Sequence, residues 1–308
     1  MPDRAGGSAE TASPSVRPGP LGGPHRAGVI DLLVRRFGRN HLSIAGFAII
    51  LLWTIVALGA PVLAPHDPVE VDVGSRMQPA SAAHLLGTDF YGRDLFSRIL
   101  YGARYDLAIA LVAVGLATGA GVLLGVVAGY YGQLVDEAIM RVTDVLLAFP
   151  SLVLALALAS ALGPGLWKAI LAVGVVGIAG YSRLARGSTL SLREEAYVEA
   201  ARAEGASDVR IMVRYILPNI LSPIIVRATV GMGFTVLLAA GLSFIGLGAQ
   251  PPTPEWGAMI NEGRNQLVTG VWWVSTFPGL AIMSLVLGFN LLGDGIRDLL
   301  DPRGITRL

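Results

Sequence analysis

Residues 197–219 read YVEAARAEGASDVRIMVRYILPN, a charged stretch inside a chain that is otherwise mostly apolar. Just before it, Ser191 and Glu194 have the spacing of a capping box, in which a hydroxyl and a carboxylate satisfy the free amides at a helix start. We therefore predict a helix over residues 192–204. Gly205 follows at the position where a helix end requires a left-handed backbone, so the helix is expected to stop in a glycine turn.

A second helix is predicted directly after this turn. Ser207 and Asp208 can cap its start, and Pro218 is expected to end or kink it. Apolar and basic residues fall on different faces at helical spacing, with Val209, Met212, Val213 and Ile216 on one face and Arg210 and Arg214 on the other. The pattern predicts a bent pair of helices that faces water. Taken alone, it is also compatible with an ordinary amphipathic connector between two membrane spans.

The composition places the chain in a membrane. Of the 308 residues, 53% are hydrophobic and only 15% are charged, whereas a soluble domain carries roughly a quarter charged residues. The mean hydropathy is +0.62. A net charge of +1 and basic residues dispersed among loops argue against a nucleic-acid partner.

Cysteine is absent, which excludes disulfides, thiolate metal sites and cysteine nucleophiles. The four histidines are His25, His41, His66 and His84. They lie far apart and form no HxxxH or HExxH spacing. We interpret them as structural or incidental residues, and no metal site is expected.

Apolar runs of about 20 residues match the thickness of a bilayer core. We predict an all-α, polytopic fold with six spans, at 43–64, 105–130, 145–162, 167–186, 222–247 and 272–293. The third and fourth spans are separated by Gly163-Pro164-Gly165, which predicts a tight turn and a helical hairpin.

The chain is predicted to have three regions. Residues 1–27 are rich in Gly, Pro and Ser and are expected to form a disordered tail. Residues 28–100 hold the first span and an extracytoplasmic segment. Residues 101–308 form a core of five spans with a cytoplasmic loop at 187–218.

Arginines near the span ends predict the orientation, because cytoplasmic loops are enriched in Lys and Arg. They predict that both termini and the segment 183–214 are cytoplasmic; the arginines concerned are Arg26, Arg35, Arg36, Arg39, Arg183, Arg186, Arg193, Arg202, Arg210, Arg214, Arg297, Arg303 and Arg307. The outer segment 65–104 argues against this, since it contains Arg76, Arg93, Arg98 and Arg104. We base the predicted orientation on the larger group of arginines, which places both termini in the cytoplasm.

Two further patterns each allow two interpretations. The stretch RDLFSRILYGAR at 93–104 has an apolar face and could lie in the membrane interface, or it could be a short soluble helix packed on the outer span ends. Gly121, Gly125 and Gly129 allow close approach of another helix. That helix could belong to this chain or to a second membrane subunit.

The bent stretch resembles the EAA signature of the membrane subunits of bacterial ABC importers. The matching residues are Glu199-Ala200-Ala201, Gly205 and Ile216-Leu217-Pro218. The stretch is most similar to the second membrane subunit of the dipeptide, oligopeptide and nickel permeases, although many relatives have histidine at Tyr215. Three further stretches resemble the same subfamily, at 86–104, 136–154 and 242–260.

The resemblance implies a type I ABC importer permease fold in the bacterial inner membrane. In that family this loop docks on a cytoplasmic ATPase, which implies an ATPase-coupling role for Glu199, Ala200, Ala201, Gly205, Arg210, Arg214, Leu217 and Pro218. The implied partners are a homologous second permease subunit, one or two ATPase subunits, an extracytoplasmic binding protein and the lipid bilayer. Dipeptides or oligopeptides are the expected cargo, with nickel, glutathione or haem as alternatives.

Competing functions lack their sequence signals. A Walker A loop requires a lysine followed by Ser or Thr, yet Lys168 is followed by Ala169, so ATP and Mg²⁺ are expected on partner subunits and no cofactor on this chain. An ion-driven transporter would place ionisable groups deep in its spans, whereas those here lie toward span ends: Asp106, Asp144, Lys168 and Arg227. No HExxH, GxSxG or paired intramembrane carboxylates indicate an enzyme.

Overall fold

A computed structural model describes residues 41–300, so the predicted tail 1–27 and the terminal arginines at both ends lie outside the described part. The described residues are nearly all helical and contain no strand, which confirms the predicted all-α class. The helices are α1 (His41–Leu63), α2 (Leu95–Tyr131), α3 (Gln133–Leu147), α4 (Ser151–Leu162), α5 (Leu166–Leu192), α6 (Ala196–Ala203), α7 (Asp208–Ile211), α8 (Leu217–Phe244), α9 (Trp256–Gly263) and α10 (Trp273–Leu300).

Five helical stretches in the described range are long and apolar enough to cross a membrane: α1, α2, α5, Asp208–Phe244 and α10. The predicted third span, 145–162, differs from the structure. Its residues are divided between α3 and α4, which meet at an angle of 94°. At about 1.5 Å per residue, α4 alone is too short to cross a bilayer. The number of spans is therefore five, or six if this bent pair counts as one.

The bend follows from Pro150, which precedes α4 and has extended backbone angles. A proline cannot donate the amide hydrogen that would continue α3. The turn between α4 and α5 agrees with the sequence prediction, since Gly163 and Gly165 both have positive φ, at 81° and 144°. The predicted hairpin therefore forms, but with a short first arm.

The closest helix pair in the structure is α2 against α5, and three glycines create it. A Cβ built on Gly121 would lie 2.6 Å from the Ile178 carbonyl oxygen, and one on Gly125 would lie 2.2 Å from the Ser182 carbonyl oxygen. At Gly129 the nearest atom would be the Thr189 Cβ at 2.8 Å. Of the two interpretations offered by the sequence, the structure therefore places this seam inside the chain.

Helix α10 packs beside α1 and α8 and completes the bundle. Trp53 of α1 donates its indole hydrogen to Ser284 Oγ at 2.9 Å. Its ring also meets the fully buried Trp256 of α9 edge-on, at 4.8 Å between centroids. These contacts bind the short α9 to the long helices.

The stretch 93–104 matches neither predicted alternative, because it forms the start of α2 and is continuous with the second span. Arg93 and Arg98 are 3% and 0% exposed. Arg93 donates to Asp89 at 2.6 Å and to Glu262 at 2.5 Å, and Arg98 donates to Glu262 at 3.1 Å. The charges of these two arginines are therefore neutralised within the chain. This explains why they can lie in a predicted outer segment although cytoplasmic loops are the ones enriched in arginine.

Two buried carboxylates come together although the sequence predicted no such pair. Asp106 of α2 accepts a hydrogen bond from the Trp256 amide at 3.3 Å and interacts electrostatically with Glu255. Burial raises the pKa of Glu255. Because Glu255 accepts hydrogen bonds from the Gly257 and Ala258 amides, both at 2.8 Å, its role is to cap the start of α9.

Candidate functional site

The charged stretch forms a bent two-helix segment (residues 196–216) between α5 and α8. Its first helix differs from the prediction at its start: α5 continues to Leu192, so Ser191 lies inside α5 and forms no capping box. The helix α6 begins instead after Glu195, whose backbone is extended and whose side chain makes no cap hydrogen bond. The capping-box pattern was overridden because α5 has a long partner in α2 along its whole length.

Gly205 has the predicted left-handed backbone, with φ of 80°. The Gly205 amide donates to the Arg202 carbonyl and the Ala206 amide to the Ala201 carbonyl, each at 3.0 Å. This pair of bonds is the Schellman motif, which satisfies the last carbonyls of a helix. No atom would lie within 4 Å of a Cβ at Gly205, so the backbone angle is what requires glycine there.

Pro218 does not end the second helix, which was one of the two outcomes predicted for it. The chain from Asp208 to Phe244 is one continuous helix. Met212–Ile216 forms a wide turn, in which the Leu217 amide donates to the Met212 carbonyl five residues earlier. Such a π-type turn supplies one extra residue within the helix, and Pro218, which has no amide hydrogen to donate, lies just after it. The two-helix segment is therefore joined to α8 by an unbroken helix.

The inner face of the two-helix segment is packed on the bundle. Val198 and Ala201 of α6 are 0% and 4% exposed. Ile211 and Ile216 are fully buried in an apolar cluster that also contains Val122, Val126, Ala185, Met212, Ile220 and Ile224. Ala201, which the resemblance assigned to ATPase coupling, therefore lies on the inner face of the segment.

Polar contacts tie the segment to the end of α2. Tyr130 donates to Asp208 Oδ1 at 2.7 Å. Just before the segment, Arg193 donates to the Gly129 carbonyl at 3.1 Å. The segment is thus held by both an apolar cluster and hydrogen bonds.

The outer face is exposed and carries charges of both signs. Of the remaining residues predicted for coupling, Glu199, Ala200, Gly205, Arg210, Arg214 and Pro218 are exposed. Leu217 is partly buried and packs against the inner apolar cluster. The segment therefore presents exposed charged residues on a base that is packed on the bundle.

A cavity of about 890 Å³ lies between α2, α5 and α8 and reaches the end of α10. Its lining includes Tyr181, Ser222, Arg227 and Phe234. The Arg227 guanidinium lies over the Tyr181 ring, 5.3 Å from its centroid. Arg227 is exposed, has no ion pair within residues 41–300, and lies inside α8 rather than at a span end. The sequence had placed Arg227 toward a span end, because hydropathy alone does not define the start of α8.

The structure brings two of the four histidines together. His66 and His84 lie far apart in sequence, yet their rings are 4.8 Å apart and both face Asp94. No local spacing could indicate this cluster, because a loop of more than 20 residues brings its members together.

Two sequence families match the chain. The family described as "Binding-protein-dependent transport system inner membrane component" matches residues 121–305. The family described as "N-terminal TM domain of oligopeptide transport permease C" matches residues 31–80. Together they account for most of the chain.

Several characterised proteins are similar over almost their whole length. The dipeptide transport system permease protein DppC of Alkalihalophilus pseudofirmus is 46% identical, over 87% of this chain and 88% of that protein. The probable D,D-dipeptide transport system permease protein DdpC of Escherichia coli K12 is 49% identical, over 86% and 88%. The glutathione transport system permease protein GsiD of Pectobacterium atrosepticum is 46% identical, over 87% and 89%.

A solved structure of the MetNI methionine ABC transporter contains a chain with a similar fold. The TM-score is 0.52 at 21% identity, over 68% of this chain and 97% of that one. At this identity the similarity concerns the fold alone. It agrees with the type I ABC importer permease architecture that the sequence predicted.

Proposed function

The chain belongs to the family of binding-protein-dependent transport system inner membrane components, and from this premise we propose that it is the membrane subunit of an ATP-driven importer of dipeptides or oligopeptides. The family membership confirms the resemblance that residues 197–219 first indicated. The chain is a multi-pass membrane protein and a permease subunit. Its proposed position is the bacterial plasma membrane, with both termini cytoplasmic.

The observation that carries the proposal is the two-helix segment, with its packed inner face and its exposed outer face. A segment fixed by buried apolar residues such as Val198 and Ile211 can transmit a displacement, whereas a mobile loop would absorb it. Its outer face, with Glu199, Arg210 and Arg214, suits a soluble protein partner. We assign that partner as one or two cytoplasmic ATPase subunits.

ATP and Mg²⁺ are proposed to bind to those ATPase subunits and not to this chain. A phosphate-binding loop of the Walker type requires a lysine next to Ser or Thr. The only lysine, Lys168, precedes Ala169 near the start of α5. The chain is accordingly proposed to be a non-catalytic subunit that uses hydrolysis performed elsewhere.

A homologous second permease subunit is proposed to cover the cavity beside α5 and α8. An exposed arginine in a membrane-spanning helix is costly in lipid, so such residues face water or protein. Arg227 is in this position and lines the cavity. The volume of the cavity, about 890 Å³, lies within the range of small-molecule sites. We infer that the cavity forms this subunit's part of the path for solute.

Dipeptides are the best supported cargo, because two of the three relatives described above are named as dipeptide permeases. Glutathione, itself a short peptide, is the second candidate. Nickel and haem are less favoured alternatives. Selection among them is proposed to depend on an extracytoplasmic binding protein.

The function can be tested with the whole complex in proteoliposomes. We expect uptake of a radiolabelled dipeptide only when this chain, its second permease subunit, the ATPase subunits, the binding protein and ATP are all present. Uptake should persist when ionophores abolish ion gradients, since the energy source is ATP. The same vesicles receive labelled glutathione in a parallel measurement.

The controls separate the alternatives. Uptake by this chain without ATPase subunits, or uptake that ionophores abolish, would contradict the importer proposal. Faster uptake of glutathione than of dipeptides would keep the importer but reassign its cargo.

The proposed orientation predicts a pattern of cysteine labelling. Because the native chain has no cysteine, single cysteines can replace Val73 and Val268, which are 64% and 91% exposed, and Glu194, whose side chain is 75% exposed. In intact spheroplasts, an impermeant maleimide should label the first two positions only, and Glu194→Cys should react after permeabilisation. If Glu194→Cys reacts in intact spheroplasts and the other two positions do not, the proposed orientation is wrong.

A further inference from the structure

His66, His84 and Asp94 form a cluster of metal-ligating side chains where the α1–α2 connection (residues 64–94) meets α2. One potential ligand atom from each residue lies within 4.8 Å of the other two. His84 Nδ1 is 3.0 Å and His66 Nδ1 is 3.8 Å from the same oxygen, Asp94 Oδ1. Among residues 41–300 this is the one group of three or more His, Asp or Glu side chains with such geometry.

The cluster is held by contacts that leave its ligand atoms turned toward one another. Asp94 Oδ2 accepts hydrogen bonds from the Ser97 amide and hydroxyl, at 2.8 and 2.7 Å. The Ser97 hydroxyl oxygen also accepts from the His66 backbone amide at 3.2 Å. Asp94 Oδ1 faces both imidazoles and is hydrogen-bonded to His84 Nδ1 at 3.0 Å. Outer hydrogen bonds of this kind commonly orient carboxylate ligands of metal ions.

His66 Nδ1 provides an independent observation. This atom is shielded from solvent and has no hydrogen-bond partner. Its distance of 3.8 Å from Asp94 Oδ1 is too long for a hydrogen bond. A buried polar atom without a partner costs free energy. An ion bonded to Asp94 and His84 would supply that partner.

We propose that His66, His84 and Asp94 bind one Zn²⁺ ion, with water as the fourth ligand. Zinc bonds of about 2.0–2.2 Å in a tetrahedron separate the ligand atoms by roughly 3.3–3.5 Å. The observed 3.0 and 3.8 Å lie on either side of that spacing, and the remaining pair of ligand atoms lies within 4.8 Å. The His66 side chain is 38% exposed, so it can rotate to close the remaining gap. Two imidazoles and one carboxylate form a ligand set that zinc accepts.

The ion would join the end of α1 to the start of α2 across the α1–α2 connection. His66 follows α1 closely, and Asp94 caps the first turn of α2. Binding would therefore order the connection in the folded protein. This inference does not depend on the proposed transport function, because the cluster lies at the opposite end of α2 from the two-helix segment.

Zn²⁺ binding is measured on the purified full chain in detergent, with an affinity tag that contains no histidine. After treatment with a chelator, the chain is titrated with Zn²⁺ against a chromophoric indicator. One equivalent per chain is expected. Hydrogen exchange in the α1–α2 connection should become slower when Zn²⁺ is present.

Three variants test the ligands. His66→Ala, His84→Ala and Asp94→Asn should each weaken binding by more than the roughly 10–100-fold that loss of an outer hydrogen-bond partner costs. Asp94→Asn is the most informative, because Asn caps a helix as well as Asp does and so preserves the start of α2. The control is the double variant His25→Ala/His41→Ala, which removes the other two histidines and should bind as the native chain does.

The proposal is overturned if the native chain takes up no stoichiometric Zn²⁺. It is also overturned if Asp94→Asn, with an unchanged unfolding temperature, binds as tightly as the native chain, or if the double histidine control alone loses the ion.

Discussion

Gly125→Leu is expected to cause a large loss of stability in the bundle. The Cβ that any side chain adds would lie 2.2 Å from the Ser182 carbonyl oxygen and 2.8 Å from the Ala185 Cβ. Because the nearest atom belongs to backbone, α2 and α5 must separate along their length. Overpacking costs about 1–3 kcal/mol and occasionally more, and about 3 kcal/mol corresponds to a fall of roughly 6–12 °C in unfolding temperature.

The measurement is thermal unfolding of the purified chain in detergent, together with the yield of monodisperse protein. Gly119→Leu is the matched control, since it lies on the same helix and no atom would be within 4 Å of its Cβ. If Gly125→Leu and Gly119→Leu unfold at the same temperature, the α2–α5 seam does not require glycine.

Gly205→Arg is expected to give the largest loss of transport with a normally inserted chain. At a φ of 80°, a residue with a β-carbon costs about 1–2 kcal/mol locally. The open space around Gly205 means that the arginine would extend outward, onto the surface proposed to meet the ATPase. Glu199→Ala should have a smaller effect, because an exposed ion pair is usually worth about 0–1 kcal/mol.

Solute uptake and ATP hydrolysis stimulated by the binding protein are measured in vesicles that hold the whole complex. Two substitutions at the same position separate backbone from bulk. Gly205→Asn should stay near the native rate, because asparagine tolerates the left-handed backbone at a helix end, and Gly205→Ala should be intermediate. Native transport by Gly205→Arg would mean that Gly205 is not the hinge of a docked segment.

Local chemistry explains which features of the two-helix segment could be predicted. Gly205 and the charged residues after it are read from neighbouring positions in the chain, and a helix end needs only local hydrogen bonds. The boundaries were less accurate. The start of α6 moved from residue 192 to Ala196 because α5 continues along α2, and a packing partner distant in sequence overrides a local capping pattern.

The same distinction applies to charge. Arg93 and Arg98 looked like exposed basic residues, because their partner Glu262 is more than 160 residues away in the chain. Arg227 looked like a span-end residue, because hydropathy does not define where a continuous helix begins. For Arg93 and Arg98 the missing information was the position of another helix, and for Arg227 it was the start of its own helix.

The sequence by itself determined the membrane class, the family, the turn at Gly205 and the glycines able to form a close seam, because these depend on composition and on short-range backbone geometry. Only the tertiary structure decided that α5 occupies that seam, that the third apolar run bends into α3 and α4, and that His66, His84 and Asp94 meet. Each of these depends on contacts between residues distant in the chain, and such contacts form only when the helices pack together.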